Sequence, residues 1–217
     1  MGKRSRSTAF PKRRSPKREP YDRVLIVIEG RNTELYYFQA LIDHLKLSTA
    51  NVEVDPESGS APQSVVQYAK QRYKNSVNSG DAFDRVYCVF DKDQHPGYPD
   101  AVNAVKIARP ANIFYLSHSV PCFEYWLLLH FEYTARPYNR RGQHSPCKCV
   151  TDDLRQYLPD YDKGDRNTFS EKLLPLVQTA LANAERANRE AEQHDTDNPS
   201  TRVNLLVQYL YGLKSDK

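Results

Sequence analysis

The chain has 217 residues, with 39% hydrophobic and 27% charged residues and a formal net charge of +4. No apolar run approaches the ~20 residues that span a bilayer, and the length suits one domain of ordinary size, at ~100–200 residues per domain. The charge is unevenly spread: residues 1–20 hold eight Lys/Arg against Glu19 alone, leaving 23 basic and 26 acidic residues in a mildly acidic remainder.

Residues 1–20 read as a basic, disordered tail, either a non-specific phosphate grip or a solubilising leader. They lack the ~7–15-residue apolar segment of a secretory signal. Four cysteines, Cys88, Cys122, Cys147 and Cys149, do not resemble a secreted disulfide framework. The reading is a reduced, cytoplasmic protein without a membrane segment.

From Tyr21 the pattern changes. Val24-Leu25-Ile26-Val27-Ile28 is a continuous β-branched and aliphatic run, the mark of a strand buried on both faces. Leu35, Phe38, Leu41/Ile42 and Leu45 follow at helical spacing after a candidate cap at Asn32-Thr33. A short strand is expected at Asn51–Asp55, a helix at Ser64–Val77, a second buried strand at Val86–Phe90, a helix near Asp100–Ala108 and a strand at Asn112–Leu116. This alternation predicts an α/β core over 21–131, a mostly parallel sheet flanked by helices. Phe123–Phe131 reads as a buried helix and Tyr138–Cys149 as a loop. Helical patterns at Asp152–Leu158, Leu174–Glu192 and Thr201–Leu213 make 132–217 a loop and helical C-terminal region packed on one edge of the sheet.

Function in an open parallel sheet gathers at the carboxyl ends of the strands. Glu29 ends the first buried strand, and Asp91 and Asp93 end a later one, two residues apart, so that extended backbone points both to one side. Like charges ~4 Å apart repel by about 4 kcal/mol even at an effective dielectric of ~20, so a cation belongs between them. Carboxylate oxygens without a His/Cys set favour Mg²⁺ or Mn²⁺, and with them phosphoryl transfer or phosphodiester hydrolysis. The alternative is that such acids cap helices, as Glu34 in a first helical turn would favour the dipole.

Ile28-Glu29-Gly30-x-x-Thr33-Glu34-x-x-Tyr37-Phe38, Val89-Phe90-Asp91-x-Asp93, Pro121-x-Phe123-Glu124-x-Trp126-Leu127-Leu128-x-His130-Phe131 and Asn198-Pro199-Ser200-Thr201 occur in order. Together they resemble the RloB family, which includes AbiLii-type abortive-infection proteins, and the short acidic signature resembles the Toprim fold of topoisomerases, primases and OLD-family nucleases. The resemblance implies a Toprim-like core, antiphage defence, association with an ABC-type ATPase or restriction system, and metal-dependent nuclease activity on RNA or DNA. It gives Glu29 the role of general acid/base or metal ligand and Asp91 and Asp93 that of the metal-binding pair. Many Toprim enzymes carry a further acid there, where this chain has Gln94-His95; His95 is a candidate proton shuttle or an ordinary loop residue.

Glu124 either meets a basic partner or faces the same crevice, because an unpaired buried charge costs several kcal/mol. His130 reads as a hydrogen-bonded core histidine. His144-x-x-Cys147-x-Cys149 is an incomplete zinc set. Arg31, Lys92, Arg140, Arg141 and Lys148 are candidate nucleic-acid contacts, with Arg136, Tyr133 and Tyr138 as a possible phosphate-gripping and base-stacking loop. The alternative to a nuclease is a non-catalytic sensor that binds a partner ATPase, which the acidic body suits.

Overall fold

Every residue of the run at 24–28, which forms β1 (Val24–Ile28), is fully buried. A strand without alternation needs apolar cover on both faces. The computed structural model, which describes residues 22–93, 95–163 and 166–215, supplies it from two sides. β1 leads to α1 (Thr33–Leu45), β2 (Val52–Asp55), α2 (Pro62–Asn78), β3 (Arg85–Asp91), α3 (Tyr98–Lys106) and β4 (Phe114–Val120). Then follow α4 (Glu124–Leu128), α5 (Pro146–Leu154), and the single turn α6 (Arg166–Thr168), which runs through a π turn and a 3-10 turn into α7 (Val177–Gln193). The chain closes with β5 (Ser200–Thr201) and α8 (Val203–Ser215). The sheet order is β2-β1-β3-β4-β5, with the first four strands parallel and β5 antiparallel to β4. The protein is therefore mixed α/β with a mostly parallel sheet flanked by helices, the class expected of a Toprim-like core. The basic tail at 1–20 lies outside the described residues, and among those described no helix is long and apolar enough to cross a membrane.

Strand alternation sorts the core into two layers. Val24, Ile26, Ile28, Tyr87 and Val89 face one side, where α1, α4, α5, α7 and α8 pack; Leu25, Val27, Val86, Cys88 and Phe90 face α2 and α3. The C-terminal helices thus cover the α1 face instead of one edge, and only β5 extends the edge. In the larger layer Tyr37 makes edge-to-face contacts with Phe38, Phe123, Trp126 and Phe169. His130 is a core histidine, with Nδ1 3.0 Å from the Trp126 carbonyl and Nε2 3.3 Å from the Tyr37 hydroxyl. Burial lowers its pKa to about 4, so it is neutral.

Two boundaries differ from the sequence reading. β4 continues through Ser117-His118-Ser119, which reads as a polar loop, because each side chain has a partner inside the fold. Ser117 and Ser119 donate to or share hydrogen bonds with the Arg202 carbonyl and the Thr201 hydroxyl, and His118 Nδ1 lies 2.6 Å from the Tyr98 hydroxyl. Residues 146–149 belong to α5 instead of a loop: Ser145 caps it by accepting from the Lys148 N–H at 3.1 Å, and Pro146 occupies the first turn.

β5 was not read from sequence at all. Its outer edge is held by a side chain: Asn188 Nδ2 donates to the Thr201 carbonyl at 2.7 Å, and Asn188 Oδ1 accepts from the Thr201 N–H at 3.0 Å. One buried amide thus replaces a neighbouring strand. Asn198 treats the N–H and C=O of Tyr138 in the same way, at 3.1 and 2.9 Å. Replacing Asn188 with Ala leaves two buried backbone groups unpaired and is expected to lower stability by about 2–4 kcal/mol in urea unfolding; a loss under ~0.5 kcal/mol would show that water or backbone adjustment repairs the edge.

Candidate active site

The chain leaves β1 toward β2 and then passes back to β3 on the other side, so the carboxyl ends of β1 and β3 flank the topological switch point, where connections diverge and leave a crevice. Glu29, the residue after β1, extends the ladder through its N–H to the Val89 carbonyl at 3.1 Å. Its side chain reaches across the strand ends, and Oε2 accepts from the Asp91 N–H at 3.2 Å. Its other oxygen lies 3.3 Å from His95 Nε2.

Glu34 joins this site from the first turn of α1 and is buried. Its carboxyl group lies against the Gly30 backbone: a Cβ on Gly30 would stand 2.7 Å from the carboxyl carbon and 2.8 Å from Oε1. Glycine at 30 is what lets the α1 acid reach the rim. The reading of Glu34 as a dipole partner alone is therefore too small a role.

Glu124 begins α4 directly beyond β4 and is 2% exposed. Lys163 Nζ lies 2.8 Å from its Oε1, and the buried Tyr161 hydroxyl lies 3.4 Å from the same oxygen. Both alternatives raised for Glu124 hold together, since it has a basic partner and also bears on Glu34 and Asp91. The Asp91 carboxylate accepts from the Phe123 N–H, which ties the end of β3 to the turn that carries Glu124.

Asp93 stands apart from this group. β3 ends at Asp91, and Asp93 occupies a turn with φ of 32°, its N–H donating to the Pro121 carbonyl at 2.9 Å. The extended geometry expected of Asp91 and Asp93 is broken between them, so Asp93 is exposed at the mouth while still close enough for its charge to act on Glu29.

Four carboxyl groups from the ends of β1, β3 and β4 and the start of α1 thus lie within electrostatic reach of one another at this rim, although no three bring their oxygens within 4.8 Å. Burial, and then the charges of Glu34 and Glu124, push the Asp91 carboxyl well above the ordinary range. Burial and then Glu124 raise Glu34 to about 7, against the opposing pull of its own N–H and Lys163. Burial also raises Glu29, where the Asp91 N–H and His95 oppose it. Burial disfavours the Lys163 ammonium, but Glu124, Glu34 and Asp91 outweigh it and hold the charge more firmly. Burial is the largest cause of all three carboxyl shifts, and for Glu34 and Asp91 the neighbouring acids add to it.

A family model described as RloB-like protein matches residues 24–210, from the first residue of β1 into α8. The chain belongs to the RloB-like family. No curated protein and no solved structure matches it. The span that makes this an RloB-like chain includes all four converging acids and Lys163.

The remaining candidates fall elsewhere on the RloB-like fold. Arg31 pairs with Glu57 at 3.3 Å on the surface, and Lys92 turns away from the acids to meet both oxygens of Asp197 at 2.7 and 2.8 Å. Lys148 pairs with Asp152, and Arg140 and Arg141 are exposed. Tyr138 is not a stacking platform: it is buried, donates to Asp153 at 2.7 Å, and carries Arg136 over its ring. Tyr133 is likewise engaged by Glu190 and Arg186.

The zinc set does not assemble. Cys147 forms a disulfide with Cys122, His144 Nδ1 lies 3.0 Å from Asp152, and Cys149 faces the Asn139 carbonyl. The expectation of four reduced cysteines is corrected with it; the partners are 25 residues apart and share no spacing motif.

Sequence reasoning missed Glu34 as a site residue and Lys163 altogether. The Glu29-Gly30-x-x-x-Glu34 spacing carried the first signal, since a glycine between a strand end and a first-turn acid leaves room for both. Nothing local marks Lys163, which reaches the crevice from the segment after α5.

Because Glu34 has a folded pKa of about 7 against 4.5 ordinarily, the native state binds the extra proton between these values, and its stability falls as pH rises from 4.5 to 7. Glu34→Gln in metal-free protein is expected to raise stability by ~2 kcal/mol at pH 8 and to change it little at pH 5. Half-buried His118 and buried His130, lowered to about 4, act oppositely as pH falls from 6.5, but equally in both proteins. Denaturant unfolding at the two pH values measures the difference, and an equal effect at both would refute the shift.

Proposed function

We propose that this chain is a Mg²⁺- or Mn²⁺-dependent nuclease with a Toprim-like active site, hydrolysing phosphodiesters of RNA or DNA in antiphage, abortive-infection defence. The observation that carries this is the convergence of Glu29, Glu34, Asp91 and Glu124 at the switch-point crevice, with Lys163 as a closely paired cation. All the donors are carboxylate oxygens, the chemistry a hard divalent ion takes, and since no three of them bring their oxygens within 4.8 Å of one another, closing on one ion would draw these side chains together. Glu29, Asp91 and Glu34 would hold it, with Glu124 oriented by Lys163 and Tyr161 and Asp93 at the mouth.

A bound ion would supply Lewis-acid polarisation of the phosphate and acidification of water. The chain's own contribution is placement and proton transfer. The Phe123 N–H fixes one direction of the Asp91 carboxylate, and the Asp91 N–H fixes Glu29. Glu29 is placed to accept a proton from the attacking water and pass it from Oε1 to His95 Nε2, 3.3 Å away and part-exposed to solvent. Lys163, paired to Glu124 yet half-exposed, is placed to meet a non-bridging phosphate oxygen.

A second reading, a non-catalytic sensor that binds a defence ATPase or restriction partner, is favoured by the acidic folded body and by the pairing of Lys92, Arg136 and Lys148 with carboxylates. Purified protein incubated with total RNA and plasmid in Mn²⁺ separates the two. The nuclease reading expects cleavage that EDTA stops and that Asp91→Ala lowers at least ~100-fold, several kcal/mol of lost transition-state stabilisation. Cleavage that survives either treatment, or no calorimetric response to millimolar Mg²⁺ or Mn²⁺, would overturn it.

A further inference from the structure

A cleft of about 400 Å³ lies on the far side of Asp91 from the acidic crevice, between α3, β4 and the segment after α7. Its volume falls in the range of small-molecule sites. The alternation at the end of β3 links the two sites: Asp91 faces the acids, while the next residue, Lys92, lines the cleft. The sites therefore share a wall one residue thick.

The cleft and the acid cluster differ in charge. Lys92 and Lys106 line the cleft, and their charges and that of Arg202 all act on His118 within it, with Asp197 opposing. Lys92 is held by Asp197, and Arg202 by Glu192 at 2.7 Å, whereas Lys106 stands exposed at the rim. Pro99 and Val102 make an apolar wall, and the Tyr98 and His118 rings stack at 5.7 Å to form the floor. Cations facing an apolar wall exclude a metal ion as occupant and call for more than a bare anion. The fitting ligand has an anionic group, a flat or apolar body and hydrogen-bonding edges for Asn103 and Asp197, which describes a nucleotide.

We propose that this cleft is a nucleotide subsite, holding the unit next to the phosphodiester at the acidic crevice, with its phosphate toward Lys106 beside the Lys92–Asp197 pair and its base or sugar against Pro99 and Val102. Its place in the reaction rests on the nuclease reading; binding in the cleft does not. Lys92, held by Asp197, thus forms part of the wall of the subsite for the adjoining nucleotide, on the side away from the acids that flank it in sequence.

The test titrates 5′-AMP, 5′-UMP and inorganic phosphate into the full chain in EDTA, read by calorimetry and by the His118 ring resonances. Both nucleotides are expected to bind saturably, to shift His118, and to lose at least ~10-fold in affinity in Lys106→Glu and in Asn103→Trp, which fills the cleft from an exposed position. Asp91→Ala should bind them as the unaltered chain does. No saturation by about 10 mM, an equal response to phosphate alone, or full binding by both cleft variants would overturn the subsite. The two readings fail separately. Nucleotide binding without Mn²⁺-dependent cleavage removes the nuclease and keeps the subsite, whereas cleavage with an unchanged KM in Asn103→Trp does the reverse.

Discussion

Four carboxyl groups within electrostatic reach of one another, with Lys163 paired to one of them, are the constraint on which the rest of this structure bears. Each pair of ionised groups at close range costs on the order of 4 kcal/mol at an effective dielectric of ~20. A fold that keeps such an arrangement has to offset it by proton uptake, by hydrogen bonds or by a cation. Burial and neighbouring acids raise the Glu34 and Asp91 carboxyls toward proton uptake, and the N–H groups of Asp91 and Phe123 point at carboxylates. Lys163 supplies part of the third, and a divalent ion would supply the remainder.

The sheet makes the crevice unavoidable. With order β2-β1-β3-β4, the connections after β1 and β3 run to opposite sides, and their ends cannot be closed over by one loop. Gly30 then admits the Glu34 carboxyl, and the turn between β4 and α4 brings Phe123 and Glu124 over Asp91. The C-terminal third completes the scaffold from a distance. Asn188 holds β5 against β4, Asn198 holds the segment at Tyr138, and the Cys122–Cys147 disulfide joins the turn before Glu124 to α5. The same edge gives the protein two electrostatic faces, acidic around Asp91 and basic beyond Lys92, which is the division a bound metal and an adjoining nucleotide would need.

What the sequence disclosed follows from the range of each signal. β1 and β3 announce themselves because full burial forces unbroken apolar runs, and Glu29 and Asp91 are legible because they directly end those runs. Glu34 was visible as a residue but not as a neighbour, since its approach depends on a missing Cβ at Gly30. Lys163, Tyr161 and the cysteine pair are long-range contacts with no periodicity to betray them. Ser117-His118-Ser119 misled in the opposite way: polar residues in a strand look like a loop until their buried partners, Thr201 and Tyr98, are known. Asp93 shows the limit of spacing arguments, because alternation from Asp91 holds only while the backbone stays extended, and β3 stops one residue after Phe90.

The most direct test of this account is diffraction from crystals soaked in Mn²⁺, with anomalous data locating the ion. The account expects a site in the crevice, with oxygens of Asp91 and at least one of Glu29, Glu34 and Glu124 at about 2.0–2.2 Å and Lys163 still beside Glu124. Carboxyl groups that close on one another or on Lys163 and leave millimolar Mn²⁺ unbound would contradict it.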